Sequence, residues 1–358
     1  MTTSPRRSAP RRRAPRMPGV ATPTLRDVAE AAGVHAATAS RALNPETRGL
    51  VNAETARRVV RAAESLGYVP NPIARSLKTA RSRTIGMILP DLMNPLFPPI
   101  VRGVQDVLRE AGYSGLIVNT DNDPSTERSQ ITSLLSWHVE GLIVATALLD
   151  HPLLDQLHAQ KVKMVLVNRR PAQLELPSVT PDDAGGVEMS VRHLANLGHR
   201  RILHLAGPQT TSTGVIRARA FGHAVRDLGL DADAALVERC ESWSEEEGAR
   251  ALNAVLDRGT EFTAIVAGND LIALGCYDVF AARGISCPED VSVVGFNDMP
   301  FLDKLRPPLT TVSAPHHQIG VEACRMLLEG LAEPTRPARS VLLPVSLAVR
   351  GSTAAPQG

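Results

Sequence analysis

Aromatic residues are scarce: two Trp, three Tyr and six Phe make up 3% of the 358 residues. Any core must therefore be packed with aliphatic side chains. Cysteine is sparse too, and Cys240, Cys276, Cys287 and Cys324 stand far apart with no CxxC pair. That spacing opposes a disulfide framework or a zinc site and predicts buried free thiols. No apolar run approaches the roughly 20 residues of a membrane span. The basic N-terminus lacks the apolar stretch of a signal peptide, so a cytoplasmic protein is expected. Catalytic signatures are missing as well: there is no GxSxG, HExxH or P-loop. Gly185-Gly186 and Gly112-Tyr-Ser-Gly115 make poor phosphate cradles. No enzyme activity, cofactor or metal is expected.

What the chain has is charge segregation. Residues 1–83 hold 16 Lys and Arg against 5 Asp and Glu, while the remainder holds 23 against 32. The net charge of +2 hides a basic head on an acidic body, the arrangement of a polyanion-binding module joined to something that binds no polyanion. Met1 to Thr22 is rich in Arg, Pro, Ser and Ala without periodicity and reads as a disordered basic tail. It would add non-specific phosphate contacts, unless Met17 is the true start.

The stretch from Thr24 to Asn44, TLRDVAEAAGVHAATASRALN, organises the head. Leu25, Val28, Ala29 and Ala32 follow one helix face, Gly33 supplies the turn, and Val34 plugs the corner. A second helix runs from about Ala36 to Leu43, with Ala39, Ala42 and Leu43 inward and Thr38, Ser40 and Arg41 outward. Two helices over a short Gly-containing turn form a helix-turn-helix, whose second helix enters a DNA major groove. An Ala-rich hairpin within a core is the plain alternative. Asn52 caps a third helix, Ala53 to Leu66, ended by Gly67.

At LGYVPNPIARSLKT, from Leu66 to Thr79, the chain resembles the lactose-repressor (LacI/GalR) family of bacterial transcription regulators. TLRDVAEAAGV and TASRALN carry the likeness too, and it extends from Thr24 to Arg350. The resemblance implies double-stranded, near-palindromic operator DNA as partner, a homodimer, and a small-molecule effector, with a carbohydrate expected. The expected DNA-contacting residues are Thr24, His35, Ala36, Ala37, Thr38, Ser40, Arg41 and Asn44 in the head, and Asn71, Ala74, Leu77 and Lys78 in the hinge. Ala36 and Ala37 offer only methyl contacts where relatives place polar base readers, and His35 stands where a Ser or Thr cap is usual. Asn71-Pro72 starts a helix of only two turns, too short to be stable alone. The resemblance puts Leu77 at the family's inserting position, a wedge that kinks DNA from the minor groove at a central CpG step.

From Thr84 onward, apolar runs alternate with amphipathic helices, the pattern of parallel sheets covered on both faces. The expected strands are 85–89, 115–118, 141–145, 164–167, 202–206, 264–267, 291–295, 309–312, 341–343 and 346–349. The expected helices are 99–111, 125–138, 183–197, 214–228, 245–258, 269–283 and 316–331. Two α/β halves splitting near Val179–Asp183 fit this better than one sheet. The fold class is therefore α/β, a three-helix DNA-binding head and hinge helix followed by a two-lobed core; the resemblance implies that this core is periplasmic-binding-protein-like, with a parallel sheet in each lobe and three chain crossings. The expected bounds are head 23–68, hinge 69–83, core 84–350 and tail 351–358. Lobe 1 would hold 84–179 and 312–337, and lobe 2 180–311 and 338–350.

Ligands of such sheets bind beyond the carboxyl ends of the strands. The loops there place Asp91, Asn94, Leu96, Phe97, Asn168, Arg169, Arg217, Asn269, Phe296 and Asn297 around a shared cleft. Amides, a carboxylate and an arginine match vicinal hydroxyls, and Phe296 could offer a flat face to a sugar. Each has a plainer reading: Asn269-Asp270 as a helix cap, Asn297-Asp298 as a turn, Arg217 as a surface arginine. The resemblance raises Arg217, Asn269 and Asn297, and Asn297 departs from the Asp of many members. Leu96 likewise replaces an aromatic used by some purine-binding members. Asp182-Asp183 reads as a helix start, and His316-His317 as a cap or hinge. A sugar-binding protein without a DNA role and an α/β enzyme fused to a DNA module are the competing classes; the head, the hinge and the missing motifs oppose them.

Overall fold

A computed structural model of the protein describes residues 23–44, 47–69, 81–233 and 236–357. The expectations for the N-terminal tail and for Asn71, Ala74, Leu77 and Lys78 fall outside the described residues. The chain divides into two compact units at Ser82 and Arg83.

The first unit holds α1 (Leu25–Ala31), α2 (Ala36–Leu43) and α3 (Ala53–Leu66). Thr24 and Asp27 form a capping box at the start of α1, and Gly33 turns the chain with φ +60°. Val28, Ala29, Ala32, Ala39, Ala42, Ala56, Val59 and Ala63 form a small core. With so many alanines the helices approach closely but bury little apolar area. Arginines tie their ends together: Arg58 Nε donates to the Ala32 carbonyl at 2.8 Å and Arg48 Nε to the Ala42 carbonyl at 2.9 Å.

The second unit has two six-stranded sheets. The first is built from β1 (Thr84–Leu89), β2 (Ser114–Asn119), β3 (Gly141–Val144), β4 (Met164–Val167), β5 (Ser178–Pro181) and β11 (Ser340–Leu343). Its order is β11-β5-β4-β3-β1-β2, with every pair parallel. The helices of this lobe are α4 (Phe97–Glu110), α5 (Pro124–Ser136), α6 (Pro152–Ala159) and α11 (His316–Ala332). The second sheet holds β6 (Ile202–Ala206), β7 (Val237–Arg239), β8 (Ala264–Ala267), β9 (Ser292–Asn297), β10 (Thr310–Ser313) and β12 (Ser346–Ala348). Its order is β12-β10-β9-β8-β6-β7, parallel except for β12 against β10. Its helices are α7 (Asp183–Asn196), α8 (Ser212–Asp227), α9 (Glu245–Asp257) and α10 (Asp270–Arg283). Each sheet is buried on both faces: Ile85, Met87 and Leu89 pack into one cluster and Ile88 into another. This explains the unbroken apolar runs of its strands.

The chain passes between lobes after β5, after β10 and between β11 and β12. Residues 340–343 therefore belong to lobe 1, not to lobe 2 as expected from sequence, because β11 pairs with β5 along Ser340–Leu343. Residues 178–181 also stay with lobe 1, and 310–313 lie in the lobe 2 sheet. Residues 351–357 are no loose tail. Buried Ser352 donates from Oγ to the Val293 carbonyl at 2.7 Å and accepts there from the Thr310 N–H at 2.8 Å. Cys240, Cys276 and Cys324 are buried free thiols, and Cys287 is half-buried. Among the described residues no helix is long and apolar enough to cross a membrane.

Candidate effector cleft and DNA-reading surface

On the head, α2 leaves one face outward. Arg41 and Ala37 are exposed, whereas Ala36, Thr38, Ser40 and Asn44 are half-buried. His35 takes the cap position, accepting the Ala37 N–H through Nδ1 at 3.3 Å, which fixes its neutral tautomer with the proton on Nε2. Thr24 is committed to the cap, its hydroxyl donating to Asp27 Oδ2 at 2.9 Å. The Thr24 bonds hold the Asp27 carboxyl below its ordinary range.

Between the core lobes lies a cleft with two connected chambers. The outer, about 400 Å³, is lined by Asp91, Asn94, Phe97 and Arg169 from lobe 1 and by Thr210, Thr211 and Trp243 from lobe 2, among others. The inner, only about 20 Å³, is lined by Asn94, Leu96, Asn168, Arg169, Thr213, Arg217, Trp243, Asn269 and Asn297. Nine of the ten residues expected from sequence thus line one chamber or both. Phe296 is the exception and corrects that reading. The Arg217 guanidinium lies 3.6 Å from the centre of its ring, and Gly186 abuts it so closely that a Cβ there would stand 2.6 Å from the ring.

Arg217, at 3% exposure, is fully engaged. Its Nε donates to Asp183 Oδ1 at 2.8 Å and its Nη1 to the Gly268 carbonyl at 2.7 Å. Asp183, read from sequence only as a helix start, is therefore its buried partner. Burial pushes the Asp183 carboxyl up, and Arg217 opposes that. Asn269 does cap α10, Oδ1 accepting the Ile272 N–H at 2.9 Å, and still reaches the inner chamber. Asp270 caps nothing. It lies buried, accepting from the Thr311 hydroxyl and the Met299 N–H at 2.9 Å, and burial pushes its pKa up to about 6. His316 does not cap α11, whose cap position is Pro315. It is buried at the second crossing, and burial, then Arg217, push it down to about 4.

Sequence reasoning missed Trp243. It lines both chambers, and Gly207 lies flat against it, where a Cβ would come within 2.1 Å of the ring. Its signal was a rare Trp beyond a strand end, but β7 is three residues, VER, with no apolar run to mark it. Also missed was a buried group on the outer wall. Glu127 accepts from the Thr146 hydroxyl and faces His151 Nε2 at 3.1 Å. Because the Leu148 N–H donates to His151 Nδ1 at 3.2 Å, Nε2 carries the proton toward Glu127.

Six buried side-chain polar atoms lack a partner among the described residues. Four of them line the inner chamber: Asn168 Oδ1, Arg169 Nε, Trp243 Nε1 and Asn297 Oδ1. Burying such groups unsatisfied is costly, so their convergence marks a place where a polar ligand completes the bonding. Asn168 and Asn297 are held at φ +65° and +124°, and backbone strain of this kind concentrates at ligand sites.

Comparison with known proteins covers both units. Residues 24–71 match the model described as bacterial regulatory proteins, lacI family. Residues 82–350 match that of periplasmic binding proteins and sugar binding domain of LacI family. The HTH-type transcriptional repressor CytR of Escherichia coli (strain K12) is 32% identical over 333 residues, 93% of this chain and 96% of its own. The solved lac repressor dimer bound to operator and the anti-inducer ONPF superposes with a TM-score of 0.83 at 28% identity, covering 93% of this chain and 100% of that one. The transcriptional regulator CelR–cellobiose complex gives 0.72 at 30% identity, covering 92% and 99%.

Proposed function

The chain belongs to the LacI family of bacterial regulatory proteins, and on that premise we propose how its two units divide the work. Residues 23–68 read DNA, 69–83 form the hinge, and 84–350 bind effector and dimerise. The protein is a helix-turn-helix transcription regulator. In our reading it acts as a repressor on a near-palindromic operator, one head per half-site, since protein two-fold symmetry is mirrored in the DNA. The carrying observation is the convergence of four unpartnered buried polar atoms in the interlobe cleft. A polyhydroxylated ligand supplies the missing partners, and the cellobiose bound by CelR supports a carbohydrate.

Three chain passages link the lobes, so ligand closure of the cleft rotates one lobe against the other. That rotation changes the spacing of two hinges in a dimer and permits or prevents their docking. Selection of bound DNA from a random pool, followed by a ligand screen on the complex, tests the scheme: it predicts a palindromic consensus and a small molecule that alters affinity for it. For the hinge, Leu77→Ala should lose most of the operator bend and much of the specific affinity, with non-specific binding nearly unchanged because that depends on charge. Circular-permutation gel shifts showing equal bending by both proteins would remove the wedge.

A further inference from the structure

The cleft contains a positive charge that nothing among the described residues neutralises. Arg169 is 7% exposed, it makes no ion pair among the described residues, and its Nε has no hydrogen-bond partner. The charged group that acts on it is Arg217, of the same sign. Arg217 has Asp183 at 2.7 Å; Arg169 has no such carboxylate. Its neighbours in the chamber carry amides: Asn168, Asn269 and Asn297. The acidic groups nearby are committed elsewhere or lie further out. Asp270 is held by Thr311 and Met299, Glu127 by Thr146 and His151, and Asp91 and Glu241 line only the outer chamber.

Resting on the reading of this cleft as the effector site, we propose that the effector carries an anionic oxygen group, a carboxylate or a phosphoryl, which Arg169 receives where the two chambers meet. A neutral sugar would satisfy the oxygens of Asn168 and Asn297 through its hydroxyls but would leave the guanidinium buried and unpaired. An anion neutralises it with charge-assisted hydrogen bonds. The two demands together describe a sugar acid or a sugar phosphate, not a plain sugar. The carboxylates of the outer chamber repel the same group there, which sets the ligand's direction in the cleft.

The proposal predicts that Arg169 costs the ligand-free protein stability. Arg169→Met keeps the side-chain length without the charge, so the ligand-free full-length variant should melt a few degrees above the wild type. Arg169→Gln, which keeps a donor, should fall between them. At matched ionic strength, sodium acetate or sodium phosphate should raise the wild-type melting temperature over sodium chloride and leave Arg169→Met unmoved. Acetate alone acting indicates a carboxylate, and phosphate alone a phosphoryl group. A wild type indifferent to both, or a variant that responds equally, would overturn the proposal.

A screen of neutral sugars, uronic and aldonic acids and sugar phosphates for altered operator affinity closes the test. The active compound should be anionic and should bind Arg169→Met roughly tenfold or more weakly. A neutral sugar acting equally on both proteins removes the anion but leaves the cleft, whereas an effector whose action survives Arg217→Ala removes both.

Discussion

The DNA-reading helix of the head buries Ala39 and Ala42 and leaves Arg41 in solvent, whereas α8 of the core buries Arg217 itself. On the head, the site is what packing leaves outside. In the core, the site is part of the packing: Arg217 covers Phe296, pairs with Asp183 and closes on the Gly268 carbonyl. An exposed residue on α2 can therefore change with little effect on folding, while a buried residue of the cleft such as Arg217 cannot.

The largest effect expected from this difference is at Arg217. Arg217→Ala should abolish the ligand response and also destabilise the core by roughly 3–5 kcal/mol, because Asp183 is left buried without a partner. Adding Asp183→Asn should recover part of the stability but not the response. Denaturant melts beside ligand titrations decide it, and an unchanged melt would place Arg217 on the same footing as Arg41.

Acid should separate the two units next. Burial pushes His204 and His316 down to about 4, so the folded core holds them neutral while an unfolded chain takes up protons near 6.5. The stability they carry is complete above pH 6.5 and is lost as pH falls toward 4. Asp270, raised to about 6, runs oppositely: its ionisation opposes folding above pH 6, and that cost fades toward pH 3.8. Asp183, also raised by burial, joins the aspartate side, and His193 and His199, also lowered by burial, join the histidine side; four lowered histidines against two raised aspartates should leave the core less stable at pH 4 than at pH 7. The head buries no titratable side chain among its described residues, and the lowered Asp27 carboxyl loses its contribution only below about pH 3.8, so the head should stay nearly flat down to pH 4. Both tryptophans, Trp137 and Trp243, belong to the core, so their fluorescence follows that unit alone. A core melt independent of pH would contradict the assignment.

Arg41→Ala should relax specificity at one base pair per half-site by roughly 1–3 kcal/mol and leave the melt unchanged. Equal loss on every sequence would make Arg41 a phosphate contact. The smallest effect is at His35, whose ring nitrogen caps α2 at a long 3.3 Å. His35→Ser should stabilise the head by about 0.5 kcal/mol, read from its thermal unfolding.

The same contrast decides what could be read from sequence. The head is local: its capping box spans Thr24 to Asp27, its turn is Gly33, and its helix faces follow from residues three and four apart. The cleft is assembled from strand ends more than a hundred residues apart. The loops after long apolar strands were legible, and they gave Asn94, Asn168 and Asn297. The loop holding Trp243 follows a strand with no apolar signature, and the Asp183–Arg217 pair spans two helices. Phe296 was misjudged because a strand-end aromatic faces either the cleft or the core, and alternation along a strand buried on both faces does not say which. The lobe of residues 340–343 depended on pairing with β5, which four short residues containing a proline did not announce.

The order in which the chain is synthesised gives these crossings a further consequence. Lobe 1 takes its edge strand from Ser340–Leu343, and lobe 2 takes β12 and the clasp of Ser352 from residues 346–352. Neither lobe can be completed on the ribosome until those late segments emerge, whereas the head is finished some 280 residues earlier. A nascent regulator therefore presents a folded DNA reader ahead of the sensor that governs it.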